Sequence, residues 1–303
     1  MLGDRTPRAG YFSTAKAIAF NAHGALIVNA TVGPSTSAWQ PLTPPGVAAF
    51  ARASLLRLLL VEFMVAVLAA ATVIWFLHEV WFPSVREAIR QLPAQGEIRQ
   101  GKLAWRGDSP VYLAGDRFLA IVVDLNHEAE VGREADVSVE FGQKEWRIYS
   151  LLGYTTVSYP SDRVVAFNQA ELEPWWGAWE PAILACAGTL VALGLMTVWA
   201  LLAAVHMPAA LLVAFFANRE LSWAGSWRLA AAALMPGALL LTLGVLLYGL
   251  SVLDLVRLGL CAAVHFVVGW IYLFVSPLFL PRHPSVQALK SNPFVALPAD
   301  RKQ

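Results

Sequence analysis

Two side chains stand out because each interrupts an otherwise apolar run of helix-forming length: Glu62 and His265. A carboxyl or imidazole group in hydrocarbon is costly unless it meets a partner or water, so both are candidate intramembrane functional residues. Glu62 follows Arg57 by five positions, and a carboxyl there can also snorkel to the headgroups. A hydrogen bond between helices accounts for His265 without transport, while proton relay or ligand contact stays open. Cys261 precedes His265 by one helical turn, but two ligands make a weak metal site.

The remaining polar chemistry is sparse. No two of the six histidines are four residues apart, no H-E-x-x-H is present, and no phosphate-binding glycine loop occurs. No serine lies in a G-x-S-x-G setting. Glu128, Glu130, Glu134 and Asp136 crowd one segment without the order of a calcium loop, and read as a solvated charged loop. His127 reads as a solvated turn residue, and His78-Glu79 as neighbours that do not share a helical face. The expectation is no catalytic residue, no metal, no cofactor and no enzyme activity.

The elements that must position Glu62 and His265 are membrane helices. Of 303 residues, 57% are apolar and 14% charged, against roughly 25% charged in soluble domains. A formal net charge of +1 gives no footprint for nucleic acid. Four stretches approach the ~20 apolar residues a bilayer requires: Leu58 to Leu77, Pro181 to Val205, Leu229 to Leu253 and Leu258 to Pro281. Pro208 is expected to end the second span, leaving Ala209 to Phe216 as a short interfacial or re-entrant helix. Gly188-x-x-x-Ala192 and Ala233-x-x-x-Gly237 offer small faces for close helix packing, and Pro236 a kink.

The fold class expected is therefore an α-helical integral membrane protein of four spans, with a small extracytoplasmic α+β domain between the first two. The reading divides the chain into an N-terminal arm (1–45), a first span (46–82), the α+β domain (83–178), a three-span bundle (179–282) and a tail (283–303). Signal-peptide character in Ala17 to Val28 is interrupted by Asn21 and His23, so the arm is expected to stay on the cytoplasmic side. Basic residues dominate before the first span, between the second and third, and in the tail; the positive-inside rule then makes both termini cytoplasmic.

Within 83–178, Ser84 and Glu87 match a capping box, ahead of a stalk helix broken from the first span near Pro83. Five short strands follow: Lys102 to Arg106, Val111 to Leu113, Phe118 to Asp124, Val137 to Phe141 and Glu145 to Leu151. Their turn spacing suggests a small antiparallel sheet, with the last-but-one strand wet on one face. Ser161 to Leu172 reads as a helix. Trp175, Trp176 and Trp179 fit an aromatic belt at the membrane surface.

From Gly46 to Arg282 the layout resembles an uncharacterised bacterial integral-membrane family, a domain of unknown function that includes a maltodextrin-utilisation accessory protein. The residues carrying it are Gly96 to Leu103, Ser109-Pro110-Val111, Arg117 to Asp124, and Ala232, Leu234, Met235 and Pro236. The last group is also loosely similar to the Yip-type membrane-trafficking fold. The resemblance implies a protein of the bacterial cytoplasmic (inner) membrane, accessory to carbohydrate uptake, and supplies no catalytic residue.

The functional expectation is a non-enzymatic membrane accessory or scaffold whose outer domain contacts a partner. The alternative is a small transporter or permease subunit using Glu62 and His265. Its partners are then the lipid bilayer and a membrane or extracytoplasmic protein, with no nucleic acid; a homo-oligomer stays open. Cysteines placed at Ser109 and Ser291 test the topology. Only the first should react with an impermeant thiol reagent in intact cells, and equal labelling would sink the four-span arrangement.

Overall fold

The computed structural model describes residues 40–127 and 132–283. The expected N-terminal arm up to residue 39, Glu128, Glu130 and the tail beyond 283 lie outside the described residues.

Polar caps begin the helices. Thr43 starts α1 (Pro44–Ala49) and Ser54 starts α2 (Leu55–Phe76). Asn168, Ser222 and Asp254 start α4 (Gln169–Phe216), α5 (Trp223–Gly249) and α6 (Leu255–Val275). In each the side-chain oxygen accepts from the backbone N–H three residues on, relieving one of the unpaired donors of a first turn. Two helices end alike. Asn218 (φ 53°) and Ser251 (φ 61°) take the left-handed conformation after α4 and α5. The next N–H bonds back to Ala214 O (2.8 Å) and Leu247 O (2.9 Å), closing Schellman motifs. Four helical stretches are long and apolar enough to cross a membrane: Leu55–Arg90, Gln169–Phe216, Trp223–Gly249 and Leu255–Phe279.

Several boundaries differ from the sequence reading. Pro208 does not end its helix. α4 runs unbroken for 48 residues through Pro174, Pro181 and Pro208, so the expected separate helix at 209–216 is its last two turns. A proline in a helix between apolar neighbours removes one backbone bond without unwinding the rest. Nor is there a break at Pro83. A π-helical turn, Leu77–Trp81, joins α2 directly to α3 (Phe82–Arg90). Ser84 is inside α3, where its hydroxyl donates to Asp116 Oδ2 (3.4 Å), so it caps nothing. The helix expected over 161–172 is absent up to Asn168; Val165–Ala166 form a strand instead.

α5 is the centre of the bundle, packing on α2, α4 and α6, while α4 and α6 meet little. Its sequence explains this. Ala230 to Ala233 are completely buried, and Gly225, Gly237 and Gly244 lie on buried faces. A methyl group at Gly237 would overlap the backbone carbonyl of His265 on α6. At Gly188 on α4 it would overlap Ile74 of α2. Ala192 packs beside Val65, Ala66, Trp199 and Met235.

The β domain holds two sheets rather than one. A small one orders β2 (Lys102–Ala104), β1 (Glu97–Arg99) and β8 (Val165–Ala166), all antiparallel. The larger orders β3 (Val111–Gly115), β4 (Leu119–Val123), β5 (Val137–Phe141), β6 (Glu145–Ser150) and β7 (Gly153–Ser158). It is mixed, because β4 and β5 run parallel, Leu119 beside Val137. Val137, Val139 and Phe141 pack on a core with Leu113, Ile121, Val123 and Phe167. The opposite face of β5 is not wet: Ser138 and Glu140 are 2% and 3% exposed. Tyr159 closes one end by donating to Gly142 O (3.0 Å), and burial pushes its phenol above the usual range, so it stays a donor.

The Gly188 contact generates a paired test. Gly188→Leu should lower the melting temperature in detergent, since overpacking a filled contact costs about 1–3 kcal/mol. Gly194→Leu, on the same helix with nothing within 4 Å of the added carbon, gains the same helix propensity. Equal melting temperatures would show that the Gly188–Ile74 approach matters little.

Candidate functional site

The four long helices enclose a cavity of about 290 Å³, walled by residues of α2, α4, α5 and α6. Its lining is mostly aliphatic, with the aromatic rings of Trp199 and Phe266. The polar exceptions are Thr72, His206, Thr242, His265 and the indole of Trp270. Most of these are committed locally. Thr72 and Thr242 donate to the carbonyls four residues back, Leu68 (3.0 Å) and Ala238 (2.8 Å). His206 donates from Nδ1 to Leu202 O (2.8 Å) and accepts at Nε2 from Trp270 Nε1 (3.3 Å), which fixes its tautomer. His265 donates from Nδ1 to the Ala262 carbonyl, and its ring lies 3.9 Å from that of Phe266. Val198, Phe266 and Trp270, all wall residues, remain about half exposed, so the cavity opens towards the surrounding hydrocarbon between α4 and α6.

Glu62 is elsewhere. It does not reach the headgroups past Arg57, because it is only 1% exposed. It continues the buried stripe of α2 between Val61 and Val65, and its Oε1 has no hydrogen-bond partner among the described residues. The cavity wall begins at Ala69, seven positions on and roughly 10 Å up the helix. Glu62 and His265 are therefore not brought into one site. Cys261 packs near Gly244, and among the described residues no group of three or more His, Cys, Asp or Glu could hold a metal ion.

Below Glu62, the end of the bundle away from the β domain is tied by basic residues. Arg228 donates to the carbonyls of Ala53 (2.9 Å) and Ala51 (3.2 Å). Arg52 pairs with Glu220 (3.0 Å), and Arg219 donates to Leu280 O (2.6 Å). Segments that sequence alone could only group by charge thus meet at one end.

The opposite end carries a joint between bundle and β domain. Phe76 of α2 stacks on Tyr248 of α5 (centroids 5.6 Å), and Phe118, just before β4, meets both edge-on at 5.9 and 5.0 Å. The Tyr248 hydroxyl donates to Asp136 Oδ2 (2.8 Å), and Arg117 Nη2 to Leu253 O (2.9 Å). Gly249 lets Trp75 and Phe76 approach, since an added carbon would lie 2.7 Å and 2.9 Å from their rings. Beside the joint, His78 contacts both Glu79 (2.9 Å) and Glu180 (3.7 Å), and Arg86 also reaches Glu180 (3.6 Å). Trp175 and Trp179 are half exposed, with rings 6.4 Å apart. Trp176 instead turns inward onto Phe82 (5.0 Å).

His127 is not a solvated turn residue. Its Nδ1 meets the buried carboxylate of Glu140, and Gly142 leaves room for the ring, which any Cβ there would overlap. This pair, the Tyr248–Asp136 bond and the His206–Trp270 bond were all invisible to spacing arguments, being 13, 112 and 64 residues apart. Only the alternation in Val137 to Phe141 hinted at one of them, by placing Glu140 on a strand face opposite the core.

Fold and site together define a four-helix apolar bundle of the multi-pass membrane type, carrying a mixed β domain fixed to one end. No family model, no curated protein and no solved structure matches the chain.

A double-mutant cycle tests the joint. Tyr248→Phe and Asp136→Asn should each destabilise by about 1.5–3 kcal/mol, as for a hydrogen bond to a charged group. The double variant should cost little more than either, and hydrogen exchange should quicken over residues 117–123 and 132–137. Additive losses would show that the two side chains act independently.

Proposed function

We propose that the protein is a non-enzymatic accessory or scaffold of the bacterial cytoplasmic membrane, holding its β domain outside to engage a protein partner. The observation that carries this is β7. It is the edge of the larger sheet, pairs only with β6 among the described residues, and is exposed along its whole length. An uncovered edge strand is a template for an added strand. The fixed joint would present that edge at a constant height above the bilayer. The gathering of Arg52, Arg219 and Arg228 at the far end supports an inside location for that end. Commitment of the Thr72 and Thr242 hydroxyls and of His206 to neighbouring carbonyls favours packing over chemistry. The family resemblance directs the search for the partner to carbohydrate-uptake machinery.

A transporter subunit is the second reading, favoured by one observation: His265 lines a cavity between the spans. Its weakness is that Glu62 lies outside that cavity.

One experiment separates them. Glu62→Gln and His265→Gln keep hydrogen-bonding capacity and remove titration. Thr155→Lys with Val157→Lys places two charges on the β7 edge, the device natural sheets use to refuse strands. On the scaffold reading the lysine pair abolishes a site-specific crosslink from Thr156 to the partner in intact cells. The glutamine variants keep that crosslink. Loss of the cellular phenotype at normal abundance in either glutamine variant would favour transport instead.

A further inference from the structure

We propose that the β6–β7 hairpin is a lipid-inserting finger, with Leu151 and Leu152 at its tip seated among the headgroups and upper acyl chains of the leaflet on the β domain's side. The proposal rests on the helices spanning a bilayer, and is independent of the partner-binding reading.

Strand register sets the direction of the hairpin. Val137, at the start of β5, pairs with Ser150 at the end of β6. The residue before it, Asp136, is bonded to Tyr248 in the last turn of α5. The β6–β7 turn is therefore at the end of the sheet that faces the bundle. Strand order sets its lateral position. β4 and β5 stand over the α5–α6 turn, and β6 and β7 step outward by about 5 Å per strand. The turn thus lies two to three strands from the Arg117–Leu253 contact, on the α6 side. Leu151 and Leu255, the first residue of α6, line one cleft together with Arg133 and Asp136, which puts the tip level with the start of a span.

Composition fits that place. Two-residue hairpin turns favour Asn, Asp and Gly, yet this one is Leu-Leu, with Leu151 66% and Leu152 97% exposed. Nothing in turn chemistry calls for leucine. Close by, Leu250, Val252, Val256 and Leu260 are also more than half exposed, so the apolar surface runs from the tip down the lipid-facing side of α6. Above the tip, Tyr149 and Tyr154 pair at 5.5 Å, with Arg133 over the first ring (5.3 Å) and Arg147 over the second (5.8 Å). Tyrosine with arginine above an apolar tip is the layering of a membrane–water interface.

The test uses the full chain, with Cys186 and Cys261 changed to serine, in nanodiscs holding one copy. Leu152→Cys and, as a control on the small sheet, Lys102→Cys carry an environment-sensitive fluorophore. Lipids spin-labelled near the headgroup should quench the probe at 152 several-fold more than the probe at 102, with a blue-shifted emission. Equal, weak quenching at both sites would overturn the proposal. So would quenching at 152 that appears only in discs holding two copies, since the tip would then bind a second chain.

Discussion

The aromatic joint of Phe76, Phe118 and Tyr248 decides what kind of molecule this is. Without it, the β domain would hang from α3 and the start of α4 as a loosely tethered module. With it, one ring from each of two helices and one from the turn leading into β4 meet in an edge-and-face cluster, a geometry that holds ring orientation as well as distance. The Tyr248–Asp136 bond adds direction, because a buried hydroxyl that reaches a carboxylate has one good position. The π-helical turn at Leu77–Trp81 serves the same end. It rotates the helix by part of a turn, so that Phe76 and Val80 face the joint while Trp81 reaches the core of the domain.

Rigidity at the joint requires rigidity beneath it, and small residues supply that. Helices in hydrocarbon gain little from the hydrophobic effect, so they associate by close backbone approach. The alanine run of α5, with Gly237 against the His265 carbonyl of α6, provides that approach, while Gly188 of α4 makes room for the Ile74 side chain of α2. The cost is a thin connection between α4 and α6, and the cavity lies where those helices fail to meet. It follows from packing around α5 rather than from a dedicated pocket, and its mostly aliphatic wall agrees.

What could be read from the sequence followed from interactions that are local or compositional. Four apolar runs gave four long helices because length against bilayer thickness is a one-dimensional argument. Helix ends were harder. Pro208 looked like a stop, but in hydrocarbon unwinding the helix there would strip still more backbone groups of their partners, so the helix continues through it. Val164, Val165 and Phe167 suggested a helix over 161–172, yet so short a pattern also fits a strand, and pairing with Glu97 and Ile98 decided it. The cap that does start α4, Asn168 with Glu171 three residues later, was in plain sight. The parallel β4–β5 pair and the sites built from His127, Tyr248 and Trp270 depend on contacts between distant segments, and no spacing encodes them.

Glu62 sets the remaining constraint on any account of the bundle. A buried carboxyl whose oxygen lacks a partner opposes folding, so something must offset it. The surrounding stripe of Leu58, Val61, Val65 and Ala66 is well packed, and truncating Glu62 would leave a void in that stripe. Its bulk therefore contributes to packing independently of its charge. The glutamine exchange is informative for that reason: it keeps the volume and removes only the acid, so the fate of the bundle and the fate of the function can be read apart.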